Sequence, residues 1–344
     1  MTSMDLLTGP RGRRFCLEAV TALSDELWSR HLAAAWEPHN TGLRREFGAA
    51  VASEATRAAI SRAPAGDLLT ALARTVDHAA YWQPPDEVDE LARTPEVLQA
   101  LEPIARELGR RITGSWWSSP VDTGGQRAIQ WIDGHNLPAP QPTGAAAKLA
   151  GWRERTLASE RMAATWSRSL KRRTASSWWS TPALSDLVQT TRALPGLGSA
   201  GLLLVEDGAG WNRARIWPLA PTAGSRILEI REPADWVGLV ERQPLEVTQT
   251  WRKTAYESTG LDATWLIPDF AAVAQEYDGV HLTAAGYLAT AGRPLESGRG
   301  LTLLAGWDPD ATYWLTDVLE ASGEPTEWEN PVEGAIAEWA PTRR

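Results

Sequence analysis

Residues 268–287 read PDFAAVAQEYDGVHLTAAGY. Phe270, Val273 and Ala274 recur at helical spacing behind Pro268, which predicts a helix over Pro268–Tyr277. Asp278-Gly279 is a turn dipeptide. Val280 and Leu282 then alternate with His281 and Thr283, the period of a strand with two different faces. The helix, turn and strand mark a region in which helices interrupt a sheet.

The same character extends outward through the second half. Short apolar or β-branched runs predict strands at Leu187–Leu194, Gly201–Glu206, Ala214–Leu219, Arg226–Ile230, Leu245–Gln249, Gly279–Thr283 and Leu301–Ala305. Their spacing and Gly/Pro/Asp punctuation favour antiparallel pairing. Pro233–Glu241 opens with Pro and an early Asp and predicts a second helix.

The first half carries a different period. Apolar residues recur helically over 14–36, and 42–62 is Ala-rich with few breakers. Asp67 is placed as the cap of a helix with the stripe Leu68, Leu72 and Val76. Thr94-Pro95 starts another, along Val97, Leu101, Ile104 and Leu108, which Pro103 is expected to kink or divide. A long helix is expected over 145–171, with Leu149, Trp152, Met162, Trp166 and Leu170 on its apolar face. The fold class is therefore α+β: a helical N-terminal half, then a mostly antiparallel β-sheet domain with two or more covering helices. The expected divisions are a mainly helical region over 1–172, a Trp-rich α+β domain over 173–320, and an acidic tail over 321–344.

Composition narrows the function classes. The chain has 344 residues and a net charge of −9; residues 173–344 hold 13 basic and 23 acidic side chains. An acidic half argues against a nucleic-acid partner, where Lys and Arg must replace counterions. One cysteine, Cys16, excludes an internal disulfide and a multi-thiolate zinc site, and no metal site is expected. No apolar run approaches the roughly 18 residues of a membrane span, and no apolar segment of about 7–15 residues follows the early basic residues. A cytoplasmic protein without a membrane partner is the expectation. HExxH, GxSxG, CxxC and Walker patterns are absent from the sequence.

The outlier is tryptophan: 19 Trp stand beside 3 Phe and 5 Tyr. Four of them lie in two matching segments, Ser115-Trp-Trp-Ser-Ser-Pro120 and Ser177-Trp-Trp-Ser-Thr-Pro182. Paired indoles can stack on a sugar, a base or another flat ring, or plug the corner of a sheet. Trp117 and Trp179 are the candidates for a ligand-facing indole. Arg192, on a predicted strand, can clamp a phosphate or carboxylate. Thr283 completes the ligand-binding set. His281, with Glu276 and Asp278 at the strand mouth, has the composition for acid–base work. Glu206-Asp207-Gly208 and Gly306–Trp314 read as turns, and Gly9–Arg14 as a weak anion-binding candidate.

The leading expectation is a protein that binds a small-molecule or protein partner through a Trp-lined cleft in the C-terminal half. The alternative is an ADP-ribosyltransferase-like or NAD-cleaving enzyme. Such enzymes use, in chain order, a strand Arg, a hydroxyl-bearing strand and a late Glu, for which Arg192, His281/Thr283 and Glu327 or Glu329 are the counterparts. The usual Ser-Thr-Ser strand is missing here. Which cofactor, if any, is used stays open at this point.

Overall fold

The computed structural model describes residues 3–37, 39–132, 139–165, 178–182, 187–208, 210–331 and 338–342. The chain is α+β, with helices concentrated in its N-terminal part and a mixed, largely antiparallel sheet region after them.

The first helices are α1 (Ser3–Thr8), α2 (Pro10–Thr21), α3 (Asp25–Trp36), α4 (Thr41–Val51), α5 (Glu54–Arg62), α6 (Ala65–Asp77), α7 (Glu87–Ala92) and α8 (Pro95–Ile112). The helical patterns over 14–36 and 42–62 each divide where serine caps a new helix. Ser24 Oγ accepts the Leu27 N–H at 3.2 Å, and Ser53 Oγ accepts that of Thr56 at 3.1 Å. In α6 the cap is Pro64 rather than Asp67. In α8 the chain stays helical through Pro103. Its buried stripe of Val97, Leu101, Ile104 and Leu108 holds it against the bundle, which offsets the lost backbone hydrogen bond. Helix α2 runs through the middle of this layer, with Arg11, Arg14 and Glu18 all buried. Arg11 pairs with Asp89, and Arg14 pairs with Glu18 and Asp86, each at 2.8 Å. These two arginines of the 9–14 segment are thus committed to internal carboxylates.

The strands are β1 (Gln126–Trp131), β2 (Gln189–Leu194), β3 (Gly198–Ser199), β4 (Arg213–Pro221), β5 (Ile227–Ile230), β6 (Pro244–Glu246), β7 (Trp265–Pro268), β8 (Gly279–Leu282), β9 (Leu295–Ser297), β10 (Gly300–Thr302), β11 (Thr312–Trp314), β12 (Leu319–Ala321), β13 (Thr326–Glu329) and β14 (Ala340–Pro341). The large sheet has the order β14-β13-β4-β1-β2-β11-β8-β5, with β12 on β4 and β3 on β2. Its pairs are antiparallel except β5–β8. The small sheet is β6-β7-β10-β9, parallel only at β7–β10. The expected strand at 201–206 is instead a 3-10 turn followed by irregular chain. Residues 319–329 extend the large sheet through β12 and β13.

Five helices cover the sheets: α9 (Ala145–Ala163), α10 (Pro233–Arg242), α11 (Thr248–Thr259), α12 (Phe270–Val273) and α13 (Ala284–Thr290). Of the helix expected over 145–171, the part from 166 on, with Trp166 and Leu170, lies outside the described residues; Met162 is exposed. One hydrophobic core runs without a break from Leu6 to Trp339, crossing the divide at 172. Tryptophan fills much of it. Trp236 and Trp307 of this core, and Trp314 of a smaller cluster with Ala128, Val188, Leu219 and Leu319, are fully buried, and their indole N–H groups find Thr302, the Ala311 carbonyl and Thr190 at 2.7–3.0 Å. Buried indole N–H groups usually find such a partner, and that of Trp265 is the exception among the fully buried ones. Among the described residues, no helix is long and apolar enough to cross a membrane.

Candidate functional site

A cavity of about 310 Å³ opens beside the centre of the large sheet. Strand β1 contributes Arg127, Ile129 and Trp131, and β2 contributes Gln189, Thr190 and Thr191. Trp178-Trp179, residues 205–207, Trp211, Gly306, Asp308 and Tyr313 also line it, with Gln141 and Lys148 at one side. Trp131 and Trp211 stack face to face, with centroids 4.8 Å apart and planes 14° apart. Trp178 and Trp179 meet edge to face at 5.6 Å. Trp179 is 37% exposed and lies on Gly306. A Cβ at Gly306 would stand 3.0 Å from the indole, and its φ of +72° already favours glycine. The missing side chain at 306 is what lets the ring settle there.

Two carboxylates sit in the same wall. Glu206 Oε2 accepts the N–H groups of Gly306 at 2.6 Å and Trp307 at 3.2 Å. Glu206 Oε1 is buried and lies toward the Tyr287 phenol. Asp308 Oδ1 accepts the Glu206 N–H at 2.8 Å, and its Oδ2 accepts from Gln189 Nε2 at 3.1 Å. Burial, with the Asp308 charge adding to it, pushes the Glu206 carboxyl up to about 8. Burial pushes Asp308 up to about 6 against its hydrogen bonds. Behind Glu206 lie the phenols of Tyr287 and Tyr81, both raised by burial and by the Glu206 charge. At neutral pH Glu206 therefore holds its proton, and Asp308 is mostly ionised. Glu206 and Asp308, read from sequence as turn residues, are among the groups most strongly perturbed in the cavity wall. An acidic residue after an apolar run was the signal; its burial depends on a contact 100 residues away.

The expected site residues are placed elsewhere. Arg192 and His281 do meet, through Asp310. Arg192 Nε lies 2.6 Å from Asp310 Oδ1, and His281 Nε2 lies 3.4 Å from the same oxygen. His281 Nδ1 is 2.6 Å from Glu229 Oε2. Only 1% of His281 is exposed. Burial opposes its charge, but the bonds to Asp310 and Glu229 outweigh burial and raise its pKa. Both ring nitrogens and the guanidinium are thus engaged in a buried charge cluster that ties β2, β5, β8 and the 310 turn together. Asp310 occupies the left-handed region at φ +62° to reach it.

Trp117 packs on Phe15 inside the core, and Trp116 lies under the Arg192 guanidinium at 5.2 Å. Thr283 caps α13, accepting the Gly286 N–H at 2.9 Å. Asp278 binds the Arg226 N–H and Thr316, and these contacts hold its carboxyl below the usual range despite partial burial. Glu276 accepts from Gln243 at the surface. Glu327 pairs with Arg215 on neighbouring strands at 2.6 Å. Of the expected ligand-facing set, Trp179 alone lines the cavity; Arg192, Trp117 and Thr283 do not, nor do His281, Glu276 and Asp278. The two matching Trp-Trp segments thus differ: the first is buried near the charge cluster, and the second faces the cavity.

No protein-family model matches the chain, and no curated protein or solved structure matches it either.

Proposed function

We propose that this chain binds a small organic molecule with a flat or apolar face in the Trp-lined cavity. The observation that carries the reading is the convergence of Trp131, Trp178, Trp179 and Trp211 on one cavity of small-molecule size. Ligand sites of this kind are mainly apolar, with a few polar groups that fix orientation, and here Gln189, Thr191, Glu206 and Asp308 supply them. Stacking on an indole contributes about 1–3 kcal/mol per ring.

Titration with ring compounds, followed by tryptophan fluorescence and calorimetry, tests this. Trp179→Ala and Trp211→Ala remove partly exposed rings. Each is expected to weaken binding about tenfold or more while leaving the chain folded. Unchanged affinity in both variants would place the ligand outside the cavity.

A further inference from the structure

Resting on that cavity reading, we propose that the ligand is an organic monocation, an ammonium or guanidinium on an apolar body, whose charge lies against Glu206 and Asp308. The two carboxylates adjoin, since the Glu206 backbone N–H is bonded to Asp308 Oδ1. Neither has an ion-pair partner within 4 Å among the described residues, whose other buried carboxylates Glu18, Asp269 and Asp310 all do. Arg11 is the cation that acts on Glu206, and it is already bound to Asp89. Burying an unpaired carboxylate is costly unless a proton or a cation neutralises it. Glu206 and Asp308 both line the cavity, where a cation can stand against them.

The walls suit the same chemistry. Trp178, Trp179 and Tyr313 present ring faces and edges beside the carboxylates. Aromatic faces attract cations, most strongly where water is excluded. Arg127 and Lys148 also touch the cavity, but each donates to a backbone carbonyl, of Gln126 and Gln141 respectively.

Binding then displaces a proton. The groups that face Glu206 are Asp308 and Tyr313 from the sheet side, Tyr287 on α13, Tyr81 after α6 and Arg11 on α2. The phenols stay neutral and Arg11 stays charged, so Glu206 is the group that changes near neutrality. A cation favours its ionised form and releases its proton. Affinity should fall as pH drops below about 8, by roughly twentyfold between pH 8.5 and 6.5.

The test uses the full chain with phenyltrimethylammonium, its neutral isostere tert-butylbenzene, and benzoate, each titrated at both pH values. The cation is expected to bind at least tenfold more tightly than the isostere at pH 8.5, and to lose most of that advantage at pH 6.5. Glu206→Gln should abolish the pH dependence. Asp308→Asn, at a half-buried position, should weaken the cation more than it weakens tert-butylbenzene, which covers the case of a poorly folded Gln variant. Equal or tighter binding of tert-butylbenzene or benzoate would overturn the cation inference and leave the cavity reading standing. Binding of none of the three would overturn both.

Discussion

Replacing Glu206 by Gln removes one titrating proton from the cavity wall and keeps an oxygen to accept the Gly306 and Trp307 N–H groups. The Glu206 carboxyl stands at about 8 in the folded chain against an ordinary 4.5. Each unit corresponds to about 1.36 kcal/mol, so the linked stability is on the order of 4–5 kcal/mol. Because the folded value is the higher one, this stability is fully present below about pH 4.5. It is lost as pH rises through about 8, at up to about 1.4 kcal/mol per pH unit. Asp308 acts in the same direction at lower pH, between its ordinary 3.8 and about 6. His281, also raised, adds a loss that begins above its ordinary 6.5. The difference between parent and variant isolates Glu206 from both. Urea denaturation from pH 5 to 9 is the assay. The parent should lose stability across this range, and Glu206→Gln should lose several kcal/mol less, most visibly between pH 6 and 8. Parallel curves for the two proteins would refute the buried, proton-holding carboxyl.

Other substitutions test the surrounding parts. Asp310→Ala leaves Arg192 and His281 buried without their shared carboxylate, and denaturation should show a loss of about 3–5 kcal/mol. Gly306→Ala puts a methyl group against Trp179 at a left-handed backbone position, so a stability loss of about 1–2 kcal/mol and a changed Trp emission are expected. Thr283→Ala removes the α13 cap and should cost about 1 kcal/mol without altering ligand affinity.

Elements governed by local pattern were legible in the sequence. Helices α8 and α10 and strands β2, β4, β5 and β8 fall where periodicity and turn residues place them. Elements held by distant partners were not. Residues 245–249 carry a strand-like run, yet α11 begins at Thr248. Its first N–H groups, those of Gln249 and Thr250, are accepted by Glu160 of α9 at 2.9 and 2.7 Å. In the same way α9 is started by Asp317, which accepts the N–H groups of Gly144 and Ala145.

The candidate site divides along the same line. The excess of Trp and the second Trp-Trp segment pointed toward a ring-lined cleft, and Trp179 does line the cavity. The carboxylates did not stand out, because Glu206 and Asp308 gain their character only when chain segments 100 residues apart close over them. Conversely, a histidine beside carboxylates had the composition of a reactive group. In the fold, Glu229 and Asp310 occupy both of its nitrogens.

The most direct test of the cavity as the binding site uses the indole N–H resonances of the 19 tryptophans, assigned by single substitution. On addition of phenyltrimethylammonium at pH 8.5, the signals of Trp131, Trp178, Trp179 and Trp211 should shift together, while the exposed Trp28 and Trp36 of the helical part stay fixed. Shifts confined to Trp28 or Trp36, or no shift at any of the four cavity indoles, would contradict it.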